Sequence, residues 1–462
     1  MEYDFFNENN QPNGEKNDVQ RIPASPQNDK KAFSKLAKIG RICLAGALAV
    51  IIFLGGMLTT WMILDPEIRT LITVKKRIQN EYYKEVTDED FYKAIFGGIN
   101  DTLLDAYSGY MTPEEFAEVL SEMGGNRIGV GLTFASQQTE PLRITRVCGN
   151  SPAEDAGIVA GEKIIACGSS ESEMKPCETF EDFTSFLANY GEKEDFYLTL
   201  TSSSGERTVK LHKAAYVENL VFYRTSTSAY AFTGAQADVL TEKGAPLNCL
   251  DEDTAYIRLV EFTGNAANEF ALAMGQFRKD GKKHLILDLR ENGGGYLDIM
   301  QSIASYFCKN TTEKKPIVAV ADFGNKKTVY RATSNYYDGY FSQDSHISVL
   351  ADRYSASASE CLIGCMLDYG AIAYGDICLA ERNGVAKTYG KGIMQETSYV
   401  NILKQDAITL TTAEIRWPVS NNSIHGRGVL PEDGTLTVAE NTDFEMETIN
   451  AVNTILGKAG MR

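Results

Sequence analysis

At 462 residues, 43% hydrophobic and 23% charged, the chain is long enough for two or three domains and is not disordered throughout. Its formal net charge of -17 argues against a nucleic-acid partner, because a phosphate backbone would be repelled. Nine cysteines include no C-x-x-C pair, so neither a disulfide framework nor a zinc site is required. Cys361 and Cys365, four apart on one helix face, have no matching His or Cys pair at a metal-site spacing and read as core packing. No metal or other cofactor is expected.

In chain order, residues 1–41 read as a disordered cytoplasmic tail: polar at first, then basic at Lys30, Lys31, Lys35, Lys38 and Arg41. From Ile42 to Leu64 the sequence is almost uninterruptedly apolar, enough to cross a ~30 Å hydrocarbon layer as a helix, with Trp61 as an interfacial anchor. A cleavable signal peptide would have a shorter apolar stretch and a shorter leader. The basic cluster places the N-terminus inside the cell and the remainder outside, on a single-pass anchor in the cell membrane.

Residues 65–126 predict a helical region, with starts at Thr87-Asp88-Glu89-Asp90 and Thr112-Pro113-Glu114-Glu115. Residues 127–213 change to short β-like runs between Gly/Ser turns, with a one-turn helix at Ser151–Gly157 and a longer one over Thr179–Asn189. Residues 214–440 alternate strand and helix, predicting an α/β core, and 441–462 form a C-terminal helix or tail.

Three junctions in the α/β region carry chemistry. Asp288-Leu289-Arg290-Glu291-Asn292-Gly293-Gly294-Gly295 joins a buried strand to a helix, and backbone amides at such a turn can hold an anion or oxyanion. Ser355-Ala356-Ser357-Ala358-Ser359-Glu360 starts a helix, where amides and the dipole favour negative charge, although serine is also the ordinary N-cap. The pattern does not choose between Ser355, Ser357 and Ser359. Gly390-Lys391-Gly392 fails the phosphate-loop test, with Val385 where a glycine is needed and Gly392 where Ser or Thr is needed. A lysine held in a pocket there would have a lowered pKa, as a lysine base requires, and in an extended segment Gln395 lies on its face. His212, His284, His346 and His425 sit in no catalytic turn, and no H-E-x-x-H is present.

Together these junctions resemble the C-terminal processing peptidases, or tail-specific proteases, in order and spacing from about Asp65 to Thr435. Gly97 to Tyr110 looks like the family's helical segment. Ile128-Gly129-Val130-Gly131-Leu132, Gly149 to Gly157 and Gly161 to Ile165 look like its PDZ domain. The glycine turn, the serine run, Lys391 with Gln395, and Gly426 to Pro431 look like its catalytic core. The resemblance implies a multidomain chain: transmembrane helix 42–64, helical segment, PDZ domain (β-rich with two helices) and an α/β crotonase-like serine peptidase core. It implies Ser357 as nucleophile, Lys391 as general base and Gln395 as its orienting partner. Ala358 with Gly293 or Gly294 would form the oxyanion hole. Gly129, Val130, Gly131 and Leu132 would capture the C-terminus of a protein or peptide substrate with an apolar tail. The N-terminal helical region would mediate homodimerisation. Two departures stand out: extra residues around Ala380 to Lys387, expected to alter access to the site, and Glu162 in place of the family's usual Asp. The rival expectation is an inactive PDZ scaffold that binds protein C-termini.

Overall fold

The computed structural model describes residues 28–134, 142–202, 205–233, 238–441 and 443–459. The expected tail up to residue 27 and the expected anchoring by the Trp61 side chain lie outside the described residues. The chain divides into two compact units, Met1–Ile95 and Phe96–Arg462.

In the first unit a helix runs over Asn28–Ile63. Its window Gly40–Met57 has a mean hydropathy of 2.0 and packs against no protein. Asp65 caps the next helix, Pro66–Glu81, accepting from Glu67 N at 2.8 Å. The expected start at Thr87 is a capping box, with Thr87 N donating to Asp90 at 3.0 Å and Asp90 N to Thr87 Oγ1 at 3.1 Å.

The second unit contains a small β body and an α/β core. Strands Asn126–Gly129 and Ala214–Val217 pair with each other, so the body extends past the boundary expected at residue 213. Its remaining strands lie between them, with short helices at Pro152–Asp155 and Phe180–Ala188. Ile144, Ile164, Phe183, Phe196, Leu198 and Leu200 fill a separate apolar core. Glu162, the departure noted in the sequence, accepts two hydrogen bonds from Arg207 at 2.7 Å and so closes one edge of this body.

The core is built on an eight-stranded sheet. Strands Thr254–Leu259, His284–Asp288, Ile347–Asp352, Ile377–Ala380 and Leu436–Val438 lie parallel in that order, and three antiparallel strands extend the Thr254 edge. Alternating side chains feed two apolar layers. Leu285, Leu287, Val349, Ala351 and Leu379 face helices Ala266–Lys279, Leu297–Ala304 and Ala358–Asp368. Ile286, Leu350, Cys378 and Ala380 face the C-terminal helix Phe444–Ala459 through Ala451, Val452 and Ile455.

A second sheet carries strand Ile393–Asn401 paired with Asp406–Arg416. The region expected to be wholly helical adds a strand to this sheet: Gly109–Met111 pairs with residues 407–409. Three residues carry no periodicity of their own, and their partner lies some 300 positions on, so nothing local marks them.

Candidate active site

The central parallel strands end side by side, with Asp288 in register with Leu350. The glycine turn and the serine run leave from their C-terminal edge, where open α/β sheets place ligands. The two junctions are stitched together. Asp352 accepts from Glu291 N at 3.0 Å, and Ala356 N donates to Asn292 O at 3.0 Å.

These bonds separate the three serines. Ser355 Oγ is buried and donates to Leu289 O at 2.7 Å. Ser359 Oγ is buried and donates to Asn292 O at 2.9 Å. Ser357 Oγ has no hydrogen-bond partner among the described residues, and Ser357 adopts φ 55°, ψ -112°, a backbone region that a non-glycine residue occupies only when its surroundings hold it there. It sits immediately before helix Ala358–Asp368, so its Oγ lies at the positive end of the helix dipole.

Gly294, at φ 107°, makes this approach of two backbones feasible: a Cβ there would lie 2.8 Å from the Ser357 Cβ and 2.9 Å from Ala358 N. The amides of the two junctions are not equivalent. Gly294 N is already engaged by Asn292 Oδ1 at 3.0 Å. The N–H groups of Gly293 and Ala358 have no acceptor among the described residues. Of the three amides expected for an oxyanion hole, these two are available.

A cavity of about 660 Å³ is lined by Ser357, Ala358, Gly293, Lys391 and Gln395, with Tyr107, Glu360 and Trp417. Glycines let the lysine loop lie flat against the segment after Ile424: a Cβ on Gly392 would come within 2.9 Å of His425 N, and Gly426 N donates to Gly390 O at 2.8 Å. Burial pushes the Lys391 ammonium below the ordinary lysine range, and the charge of Asp105 opposes it. Gln395 does not orient the amine by a hydrogen bond. It lines the same cavity as Lys391, and its Nε2 donates to Thr411 Oγ1 at 3.1 Å.

Glu360 ties the two halves together. Its buried carboxyl accepts from Ser357 N at 3.1 Å, Thr388 Oγ1 at 2.6 Å, Gly390 N at 2.7 Å and Lys391 N at 2.9 Å. Burial raises its pKa, and these four donors act in the opposite direction. In the sequence Glu360 fits a capping box and reads as helix punctuation. Its second duty, toward a loop some 30 residues later, has no local signature. Glu360→Gln turns an NH2 toward donors, so kcat should fall roughly 10–100-fold with a stability loss of about 1–3 kcal/mol, measured by peptide hydrolysis and thermal melting.

The extra residues near Ala380 do not line the cavity. Arg382 is pinned beneath it, with Nη2 3.1 Å from Asp352 and Nη1 2.8 Å from Glu447. The loop therefore does not influence access by lining the cavity. Gly129, Val130, Gly131 and Leu132 lie in the small β body and are not among the residues that line the cavity. Val130 O accepts from Ala153 N and Gly131 O from Cys148 N, each at 2.9 Å. No histidine lines the cavity. His284 Nδ1 accepts from His346 N at 3.0 Å, a structural contact.

Residues 253–433 match the sequence pattern of peptidase family S41. Two curated relatives, each named "Probable CtpA-like serine protease", come from Staphylococcus saprophyticus and Staphylococcus epidermidis. The first is 26% identical over 79% of this chain and 65% of that protein. The second is 27% identical over 78% of this chain and 63% of that protein. The chain thus spans less than two thirds of these relatives' lengths. The solved photosystem II D1 C-terminal processing protease is 21% identical, with a TM-score of 0.45, over 81% of this chain and 88% of that one. The matched stretch holds four of the five parallel strands, the glycine turn, the serine run and Lys391, and it is over these residues that the chain is similar to peptidase family S41.

Proposed function

We propose that this chain is a serine endopeptidase of the C-terminal processing type, in which Ser357 attacks and Lys391 is the base. The observation that carries this reading is Ser357 itself: held at positive φ, its Oγ unengaged, beside two unused amides and in one cavity with a deprotonation-prone lysine. Lys391 Nζ takes the Ser357 proton as Oγ bonds to the scissile carbonyl carbon. The oxyanion lies against Gly293 N and Ala358 N. Collapse breaks the C–N bond, and the lysine proton passes to the leaving amine. Water, deprotonated by the same lysine, then releases the acyl group and restores Ser357.

In this reading residues 127–213 act as a PDZ domain, and Gly129 to Leu132 take the carboxylate of an apolar substrate tail. The small body reaches the site at Arg127, which lines the cavity and donates to Glu261 at 3.1 Å. The helix over residues 42–64 anchors the enzyme in the cell membrane with its N-terminus inside, so the substrates are exported or membrane proteins. The helical region after it would join two copies.

The test uses the full chain in detergent micelles with a fluorogenic peptide ending in apolar residues and a free carboxylate. Cleavage is expected, weaker for the C-terminal amide and absent in Ser357→Ala. Equal cleavage of acid and amide would remove tail recognition. Binding without cleavage would favour the rival reading of an inactive scaffold.

A further inference from the structure

We propose that Tyr107 is the positioning residue for the Lys391 amine, holding it in the cavity by the face of its ring. This rests on the reading of Lys391 as base. Nζ lies 4.3 Å from the centre of the Tyr107 ring, inside the ~6 Å reach of a cation–π contact. No described residue makes a hydrogen bond to Nζ, and the ring face is the side-chain contact it has.

The ring is itself fixed. Tyr107 N donates to Asp105 Oδ1 at 2.9 Å, and Thr411 N donates to Ser108 Oγ at 2.9 Å. The next residues pair into the sheet whose strand Ile393–Asn401 begins two residues after Lys391, and the Tyr107 hydroxyl donates to Tyr389 at 2.9 Å, two residues before the lysine. That hydrogen bond pushes the phenol up to about 12, so the ring stays neutral while the lysine titrates.

The choice of an aromatic face has a chemical consequence. A carboxylate bonded to Nζ would hold the lysine protonated and useless as a base. A ring face attracts the ammonium more weakly and leaves the lone pair of the neutral amine unclaimed for the Ser357 proton. It also steadies the ammonium that exists between proton uptake and delivery to the leaving group. The other ionisable groups around the lysine loop are Asp105 from the same segment, Glu360 from the serine helix, Tyr389 beside the lysine, and His425 and Arg427 from the segment abutting Gly390 and Gly392. Glu360 is occupied by backbone donors and Arg427 by Asp433.

The experiment replaces Tyr107 in the full chain by Phe, by 3,5-difluorophenylalanine and by pentafluorophenylalanine, with Tyr107→Leu beside them. These rings have nearly the same shape and progressively weaker faces. Hydrolysis of the tail peptide is followed against pH. Weakening the ring destabilises the ammonium, so the proton leaves at lower pH. The ascending limb of kcat/KM should move down stepwise, by about half to one pH unit across the series. Tyr107→Leu should lower kcat about 10-fold with KM little changed. A limb that ignores fluorination, or moves up, overturns the role of Tyr107, and the isosteric series decides this even if the leucine variant does not fold. Retained hydrolysis in a parallel Ser357→Ala variant would overturn the underlying nucleophile as well, which separates the two failures.

Discussion

Glu447→Ala is expected to cost about 3–5 kcal/mol of stability, a drop of roughly 6–20 °C in thermal midpoint. Glu447 is fully buried on the C-terminal helix and accepts from Arg290 Nη1 at 2.7 Å, Arg382 at 2.8 and 2.9 Å, and Asn441 N at 2.9 Å. Arg290, fully buried as well, is the second residue after strand His284–Asp288 and reaches Asp288 at 2.6 Å. Burial alone would favour its neutral form, but the charge of Asp288 overrides this and holds it well above the usual range. Phe444, from the same helix, stacks with its ring centre 4.0 Å from the Arg290 guanidinium. Deleting one carboxylate leaves two buried guanidiniums undercompensated, and that imbalance makes the cost large. Because Arg290 and Arg382 underpin both active-site turns, activity should fall even below the melting transition. Differential scanning fluorimetry with peptide hydrolysis checks both parts. A shift under 2 °C would show that the ion network is dispensable.

Lys391→Ala should lower kcat by about 10³-fold or more while leaving the melting temperature nearly unchanged. The lysine makes no side-chain hydrogen bond among the described residues, and its burial works against its own charge, so folding loses little. The wild-type profile follows from the same shift. The base must be neutral, the neutral fraction rises with pH, and the midpoint lies below the free-lysine value of 10.5 because burial depresses it. Activity should therefore climb with pH, reach its midpoint below that of a free lysine, and vanish in acid. A flat profile would point to a base other than Lys391.

Long periodic elements and turn chemistry were legible in the sequence. The apolar run, the helix starts at Thr87 and Thr112 and the strand–helix alternation each depend on neighbours within a few residues, and they fall where expected. Long-range pairing was not legible. The three serines look alike until Leu289 O and Asn292 O claim two of them. Gly293 and Gly294 look alike until Asn292 Oδ1 takes one amide. Lys391 and Gln395 do line one cavity, but the hydrogen bond of Gln395 goes to Thr411 on the paired strand, which the sequence does not show. Glu360 and Arg382 showed their charge but not their partners. Tyr107 lay in a segment read as helical and was invisible as part of the site, because its neighbours come from nearly 300 residues downstream.

The most direct test of the Ser357–Lys391 pair is the rate and position of modification by a fluorophosphonate, a reagent that phosphonylates activated serines. A single adduct on Ser357 is expected, found by peptide mass spectrometry, with a rate that rises with pH and falls at least about 10²-fold in Lys391→Ala. An adduct on Ser355 or Ser359, or an unchanged rate in Lys391→Ala, would contradict it.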